Sequence, residues 1–302
     1  MPGMTQIPGA AFAMGSDRHY AEEAPVRRVE VDGFWIDETP VTNADFARFV
    51  AETGWITLAE TAPDPADYPG MDPALAKAGS LVFTPTAGPA DLADPLQWWR
   101  FAFGADWRRP WGPDGPSWED LADHPVVHVA WADVEAYAAW AGKDIPTEAE
   151  WELACRGGLE GADYAWGDEL QPGGRTLANT WQGHFPWRNL KPEGLKRTTP
   201  VRGYPPNGFG LYDMIGNVWE YTADWWTDAA PAKACCAPRN PRGGEAAASC
   251  EPGTTIPRKA LKGGSHLCAP SYCIRYRPAA RYPQAIDSTT SHVGFRCVRR
   301  AS

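Results

Sequence analysis

The chain has 302 residues, 43% of them hydrophobic and 22% charged, with a formal net charge of −10. That balance is globular and suits one large domain or two small ones. It speaks against a nucleic-acid partner, which demands a basic face, and no run approaches the roughly 18 apolar residues of a membrane span. Residues 1–15 carry no basic stretch followed by an apolar core, so the expectation is a cytoplasmic protein without a secretory signal. The 16 tryptophans, 30 glycines and 30 prolines predict a loop-rich core stapled by indole rings, which extra staples such as calcium ions would suit.

In chain order, residues 26–31 alternate apolar and polar as a half-buried strand does, and residues 34–37 continue the sheet. Thr42 or Asn43 caps a helix whose apolar face is Phe46, Phe49 and Val50, ended by Gly54. Residues 61–116 are Pro/Gly-rich but carry Trp98, Trp99, Trp107 and Trp111, so they read as an ordered insertion and not a solvated linker. Residues 126–129 read as a short strand. Asp133 caps a helix through Trp140, stopped by Gly142. Thr147 and Glu150 have capping-box spacing and open a helix to about Arg156, stopped by Gly157 and Gly158. Both helices are expected to bury their tryptophans, Trp140 and Trp151. Beyond them the pattern gives no helix, only short strands at 164–166, 208–212, 218–221, 260–263 and 294–298, and a small, polar loop at 228–257 that reads as mobile. The whole is one irregular α+β domain over residues 1–302, with short and mostly antiparallel strands.

Seven cysteines, Cys155, Cys235, Cys236, Cys250, Cys268, Cys273 and Cys297, cluster toward the C-terminal third. In a reducing compartment none need be bridged. Cys268 and Cys273 stand five apart in GGSHLCAPSYC (263–273), inside a stretch rich in aromatics and in Arg275, Arg277 and Arg281. Nearby cations favour thiolate, and a thiolate pair is a soft donor set that selects Cu(I) or zinc. Two thiols with His266 and no second pair fall short of a closed zinc site. The spacing alone also accommodates inert buried thiols or a redox-active disulfide. The vicinal Cys235 and Cys236 could take a soft metal or have no role, and Cys155 and Cys297 read as core packing. Asp213 and Glu220 bracket a Gly-Asn turn, where the carbonyls of Gly216 and Val218 would complete a calcium cage; turn capping by Asp213 and a surface Glu220 account for them equally. Asn179 with Glu193 invites the same pair of readings. His124 and His128 read as core or cap residues. There is no Gly-rich phosphate loop, nucleophile elbow or HExxH.

GAAFAMGS (9–16), PVTN (40–43), HPVVHV (124–129), GKDIPTEAEWELACRGG (142–158), YAWGD (164–168), NTWQG (179–183), residues 207–220, residues 263–277 and GFRC (294–297) together resemble the formylglycine-generating enzyme family, the sulfatase-modifying factors. The resemblance implies a C-type-lectin-like fold with little regular secondary structure. It implies that Cys268 and Cys273 bind Cu(I) and recruit a substrate thiolate as third sulfur ligand. Oxygen then binds at copper, hydrogen leaves the substrate β-carbon, and a thioaldehyde hydrolyses to formylglycine. The client is an extended sulfatase segment carrying CxPxR. On the same grounds Ser265 lies beside the oxygen pocket, Trp219 lines the site, and Tyr272 and Arg277 support it. Asp213, Gly216, Val218 and Glu220 fall on one calcium site; Asn179, Thr180, Glu193 and Leu195 fall on a second. Asp213 stands where asparagine is common and Glu193 where aspartate is. Cys155 and Cys297 match one half of each structural disulfide of the secreted members, but Pro278 and Ala138 stand at the partner positions. A monomer is expected. Two other readings share the fold: a non-catalytic lectin-like binding module, and an iron-dependent oxidase.

Overall fold

Short runs of alternating residues at both ends of the chain pair across its whole length, and that is what closes the domain. A computed structural model describes residues 1–66, 70, 72–228 and 237–300. Strand β1 (Met4–Ile7), β4 (Phe34–Asp37) and β13 (Val298–Arg300) form an antiparallel sheet with β4 in the middle. β2 (Ala10–Met14) and β3 (Arg27–Val31) form a hairpin beside it. A second sheet has the order β11 (Arg281–Ala285), β10 (Arg258–Lys262), β9 (Trp219–Trp225), β12 (Val293–Gly294), with β12 parallel to β9. The insertion holds the hairpin β5 (Gly79–Phe83) and β6 (Trp99–Phe103), and a minimal hairpin joins β7 (Gly183–His184) to β8 (Arg188–Asn189).

The described residues include three α-helices, the last of which packs on β2, β3, β9 and β10. α1 (Asn43–Thr53) starts at Thr42, whose Oγ1 accepts from the Asp45 amide at 3.2 Å, and stops at Gly54 with φ 70°. Phe46, Phe49 and Val50 face the core as expected. α2 (Trp131–Trp140) starts one turn earlier than the sequence reading: Ala130 is its cap, and Asp133 acts from inside the first turn, accepting from the Ala130 amide at 2.8 Å. α3 (Glu148–Arg156) has the full capping box of Thr147 and Glu150. Trp151 is fully buried, but Trp140 is only half-buried and donates to Glu52.

Several expected strands are not strands. Residues 126–129 are buried but non-extended, because His128 adopts φ 62°. Residues 164–166 form a turn bridged by Tyr164 and Gly167, and residues 208–212 are turns. The run 294–298 is split between the end of β12 and the start of β13. In the insertion, Trp98 and Trp107 are buried and Trp111 is exposed. Of the loop at 228–257, residues 229–236, with Cys235 and Cys236, lie outside the described residues; Arg239 bridges to Glu30 and Gly244 to Trp225. Cys155 and Cys297 are free thiols deep in the core, and Cys250 is free and half-buried. No helix among the described residues is long and apolar enough to cross a membrane.

All nine residues of α3 are buried, so its three glutamates need partners on two sides: Glu148 and Glu152, four apart, share a face and Glu150 lies on the other. Glu148 pairs with Arg281 on β11 at 2.7 Å, Glu150 with Arg300 on β13 at 2.7 Å, and Glu152 with Lys262 at the end of β10 at 2.9 Å. Trp151 donates to Glu220 on β9, itself paired with Arg296. Burial alone would raise the Glu152 carboxyl, but Lys262 and Arg156 outweigh it and hold the group down at about 2. Replacing Glu152 with Gln strands Lys262 in the core, and is expected to cost about 3–5 kcal/mol in denaturant unfolding. Because the folded value lies below the unfolded one of about 4.3, the stabilisation is complete above about pH 5 and fades as pH falls toward 2. The Glu152→Gln variant should lack that part of the acid limb.

Candidate active site

Lys262 ends β10, and the chain then turns through Gly263 (φ 91°) and Gly264 (φ 70°). A Cβ at Gly263 would meet the Met214 carbonyl at 2.8 Å and the Trp151 ring at 2.9 Å; one at Gly264 would meet the Arg275 carbonyl at 2.7 Å. Both positions therefore require glycine. The Ser265 carbonyl accepts from the Cys268 amide at 3.0 Å, and its Oγ accepts from the Leu267 amide at 3.2 Å. The Ala269 carbonyl accepts from the Tyr272 and Cys273 amides at 3.0 and 2.8 Å. These two turns fold the five-residue spacing back on itself, leaving the Cys268 and Cys273 sulfurs 3.1 Å apart.

The sulfurs lie at one wall of an open cavity of about 230 Å³. Trp98, Trp99, Trp219, Phe185 and Tyr282 supply aromatic walls, and Gln284, Ser288, Thr290 and His292 a polar side. Tyr272 stacks on Phe185, centroids 4.4 Å apart and nearly parallel. The paired sulfurs share one proton. Cys268 donates to Cys273, and with Arg275 nearby this holds the Cys273 thiol down at about 7, whereas burial pushes Cys268 well up. The first proton to leave near neutral pH therefore leaves Cys273, and Cys268 stays a thiol. Arg275 is fixed over the Tyr20 ring at 3.8 Å and paired with Glu22 at 2.6 Å.

The structure brings Ser265, Trp219, Tyr272, Cys268 and Cys273 together at this cavity. Arg277 is not among its lining. It is buried behind the loop, where it pairs with Glu23 and donates from Nε to the Ile274 carbonyl at 2.8 Å. His266 is turned away too. Its Nδ1 donates to the Asn217 carbonyl at 2.8 Å, and burial pushes it down to about 3, so it stays neutral. The sequence reading missed the wall residues Trp98, Trp99, Phe185, Tyr282 and His292 as site residues. Arg275 carried a signal, a cation two residues beyond the second cysteine.

Among the described residues no group of three or more His, Cys, Asp or Glu side chains converges on a metal position. An ion would have to use the thiol pair, or main-chain carbonyls around a single carboxylate. The thiol pair fits a soft monovalent cation by its chemistry. Asp213 offers the second arrangement. It is buried at φ 54°, its Oδ2 accepts from the Arg202 amide at 2.9 Å, and burial with the nearby Glu220 charge raises it to about 6. No ion pair engages it among the described residues, so a cation beside the Gly216 and Val218 carbonyls would relieve it. Glu220 is already compensated: Arg296 and Trp151 occupy its two oxygens at 2.7–2.8 Å.

The second expected calcium set does not assemble. Asn179 Oδ1 accepts from the Lys191 ammonium. Glu193 is 87% exposed and pairs with Lys196 at 2.5 Å, and Leu195 is exposed. Thr180 is buried next to Asn179.

The family model described as "sulfatase-modifying factor enzyme 1-like domain" matches residues 1–301. A protein of Mycobacterium tuberculosis named formylglycine-generating enzyme is 54% identical, covering 98% of this chain and 97% of its own length. A mouse protein of the same name is 44% identical, covering 97% of this chain and 74% of its own. Among solved structures, PvdO from Pseudomonas aeruginosa is similar with TM-score 0.58 and 24% identity, covering 99% of this chain and 94% of its own, a likeness of fold alone.

In the metal-free protein, alkylation of Cys273 by iodoacetamide should follow its thiolate fraction. The rate should be half-maximal near pH 7 and fall about tenfold per pH unit below that. Arg275→Met removes a cation that favours the thiolate, so the midpoint should move to higher pH; an unmoved midpoint would show that Arg275 does not tune the sulfur.

Proposed function

Since the chain belongs to the sulfatase-modifying factor enzyme 1-like family and generates formylglycine from cysteine as its relatives do, we propose that it is a copper-dependent oxidase acting with O2 on the cysteine of a CxPxR motif in a client sulfatase. The observation that supports this most is the reduced pair Cys268 and Cys273, 3.1 Å apart at the wall of an aromatic cavity open to solvent. Cys268 and Cys273 would hold Cu(I) as thiolates, and the ion would supply one-electron chemistry between a client sulfur and O2.

The chain's own residues do the rest. Cys273 is the more exposed of the pair, 9% against 2%, so an incoming thiol meets it first. Arg275 stabilises negative charge at that sulfur. The indole and phenol walls lower the polarity around that sulfur on the sides away from the cavity mouth, strengthening the electrostatic contacts there. Ser265, whose Oγ accepts from Leu267, keeps a hydroxyl proton to donate into the same space. In the client, two protons and two electrons leave the Cβ–S unit to give a thioaldehyde, and O2 takes both pairs to become hydrogen peroxide. Water then replaces sulfur and hydrogen sulfide departs. Arg277 positions the loop from behind and touches no reacting atom. The setting we propose is a monomer in the cytoplasm, which suits the lone buried thiols Cys155 and Cys297.

We also assign one structural calcium ion to Asp213 and the Gly216 and Val218 carbonyls, with Glu220 at most an auxiliary ligand.

Incubating a CxPxR peptide with protein, copper and O2 should convert its cysteine to an aldehyde detectable by mass spectrometry, and Cys273→Ala should lower turnover roughly 10³-fold or more. Anaerobic titration should show one Cu(I) bound, lost in Cys268→Ala. A Cys273→Ala protein that turns over normally, or activity that needs iron, would refute the copper reading; the latter would point to an iron oxidase of this fold, and a protein with no turnover that still binds peptide would be a lectin-like module. For calcium, saturation at about a hundredfold the dissociation constant should add about 2.7 kcal/mol, roughly 5 °C in melting temperature for a domain of this size. Asp213→Ala should abolish that increment.

A further inference from the structure

Lys191 is 6% exposed, and no carboxylate compensates it among the described residues. Its Nζ donates to Asn179 Oδ1. A buried ammonium held by an amide oxygen alone is costly unless the position itself favours a cation. Asn179 is well placed to need one. Its Nδ2 donates to the Arg197 carbonyl at 2.9 Å and to Asn217 Oδ1 at 3.0 Å, and its carbonyl accepts from the Asn217 amide at 2.8 Å. The Asn217 carbonyl in turn accepts from the His266 amide and Nδ1, and two residues after Asn179 the Trp181 amide donates to the Cys268 carbonyl at 3.0 Å. Among the described residues the Lys191 ammonium thus meets an oxygen dipole and no carboxylate, on the asparagine that heads the second calcium set of the resemblance. Glu193, the carboxylate that such an ion would need, faces solvent with Lys196.

We propose that the Lys191 ammonium stands in for a metal ion at this second site, so that the chain fastens residues 179–191 beside the thiol loop with a cation built into its own sequence and takes up no calcium there. This is independent of the catalytic reading, and its readouts are metal uptake and melting temperature.

The test compares calcium binding by isothermal titration for the chelator-treated wild type, Glu193→Ala and Lys191→Gly. Glu193 is exposed, so Glu193→Ala should fold and bind as many calcium ions as the wild type. Lys191→Gly empties the position. It should gain one calcium equivalent over the wild type, and its melting temperature should rise on calcium addition by about 3 °C more than the wild type's does. Adding Glu193→Ala to Lys191→Gly should remove that gain. An equivalent bound by the wild type and lost in Glu193→Ala overturns the proposal, as does a Lys191→Gly protein whose calcium response equals that of the wild type. Should Lys191→Gly fail to fold, the comparison of wild type with Glu193→Ala still decides.

Discussion

Helix α3 is buried on every side yet carries three glutamates, and the fold is arranged to satisfy them. Residues 148 and 152 share one face of the helix and residue 150 lies on the other, so their cations come from both sides. Arg281, Arg300 and Lys262 supply them from β11, β13 and β10. Buried pairs of this kind are weak as net stabilisers, because desolvation offsets most of the Coulomb gain. Their force lies in the cost of the alternatives: slide any of these strands by one residue and a charge is stranded in the core. With three α-helices and strands of two to seven residues among the described residues, hydrogen-bond ladders alone set register weakly, and the ion pairs set it strongly.

The thiol loop inherits that register at both ends. At its start, Lys262 is tied to Glu152, and the two glycines after it thread between Met214, Trp151 and Arg275. At its end, a short segment from the far N-terminal part of the chain takes over. The Tyr20 hydroxyl accepts from the Ile274 amide, Glu22 holds Arg275, and Glu23 holds Arg277. Arg277 thus belongs to the clamp that sets where Cys273 sits, which explains why a fully buried arginine lies so near the site without reaching the cavity.

How much of this the sequence showed depends on the range of the interaction. Local chemistry was legible: Thr42 and Thr147 announce helix starts, Gly54 and Gly157 their ends, and the alternation of β3 marks a strand. The cysteine pair was legible as a donor set, because its spacing and its arginine-rich flank are local too. What failed was non-local. Residues 126–129 look extended, but His128 at φ 62° breaks the run to reach Ser80 and the Pro110 carbonyl. Asp133 looks like a cap by type, yet Trp55 and the Ala130 amide draw it inside the first turn. The cavity walls come from residues 98, 99, 185, 219 and 282, and no window of sequence gathers them. Lys191 was invisible as a cation substitute because only the folded chain shows its ammonium on Asn179.

The proton shared by the two sulfurs sets an order of events at the site. With burial raising Cys268 and the Cys268 S–H contact holding Cys273 down, the pair ionises first at Cys273, beside Arg275. Two thiolates side by side in this aromatic enclosure would repel strongly unless a cation lay between them. Were a soft cation to bind here, its binding would be coupled to ionising Cys268, the sulfur that gives up the second proton. The same enclosure that makes Cys268 a poor acid alone would favour it as a ligand, since a monovalent cation between two thiolates leaves one net negative charge to bury where two bare thiolates leave two.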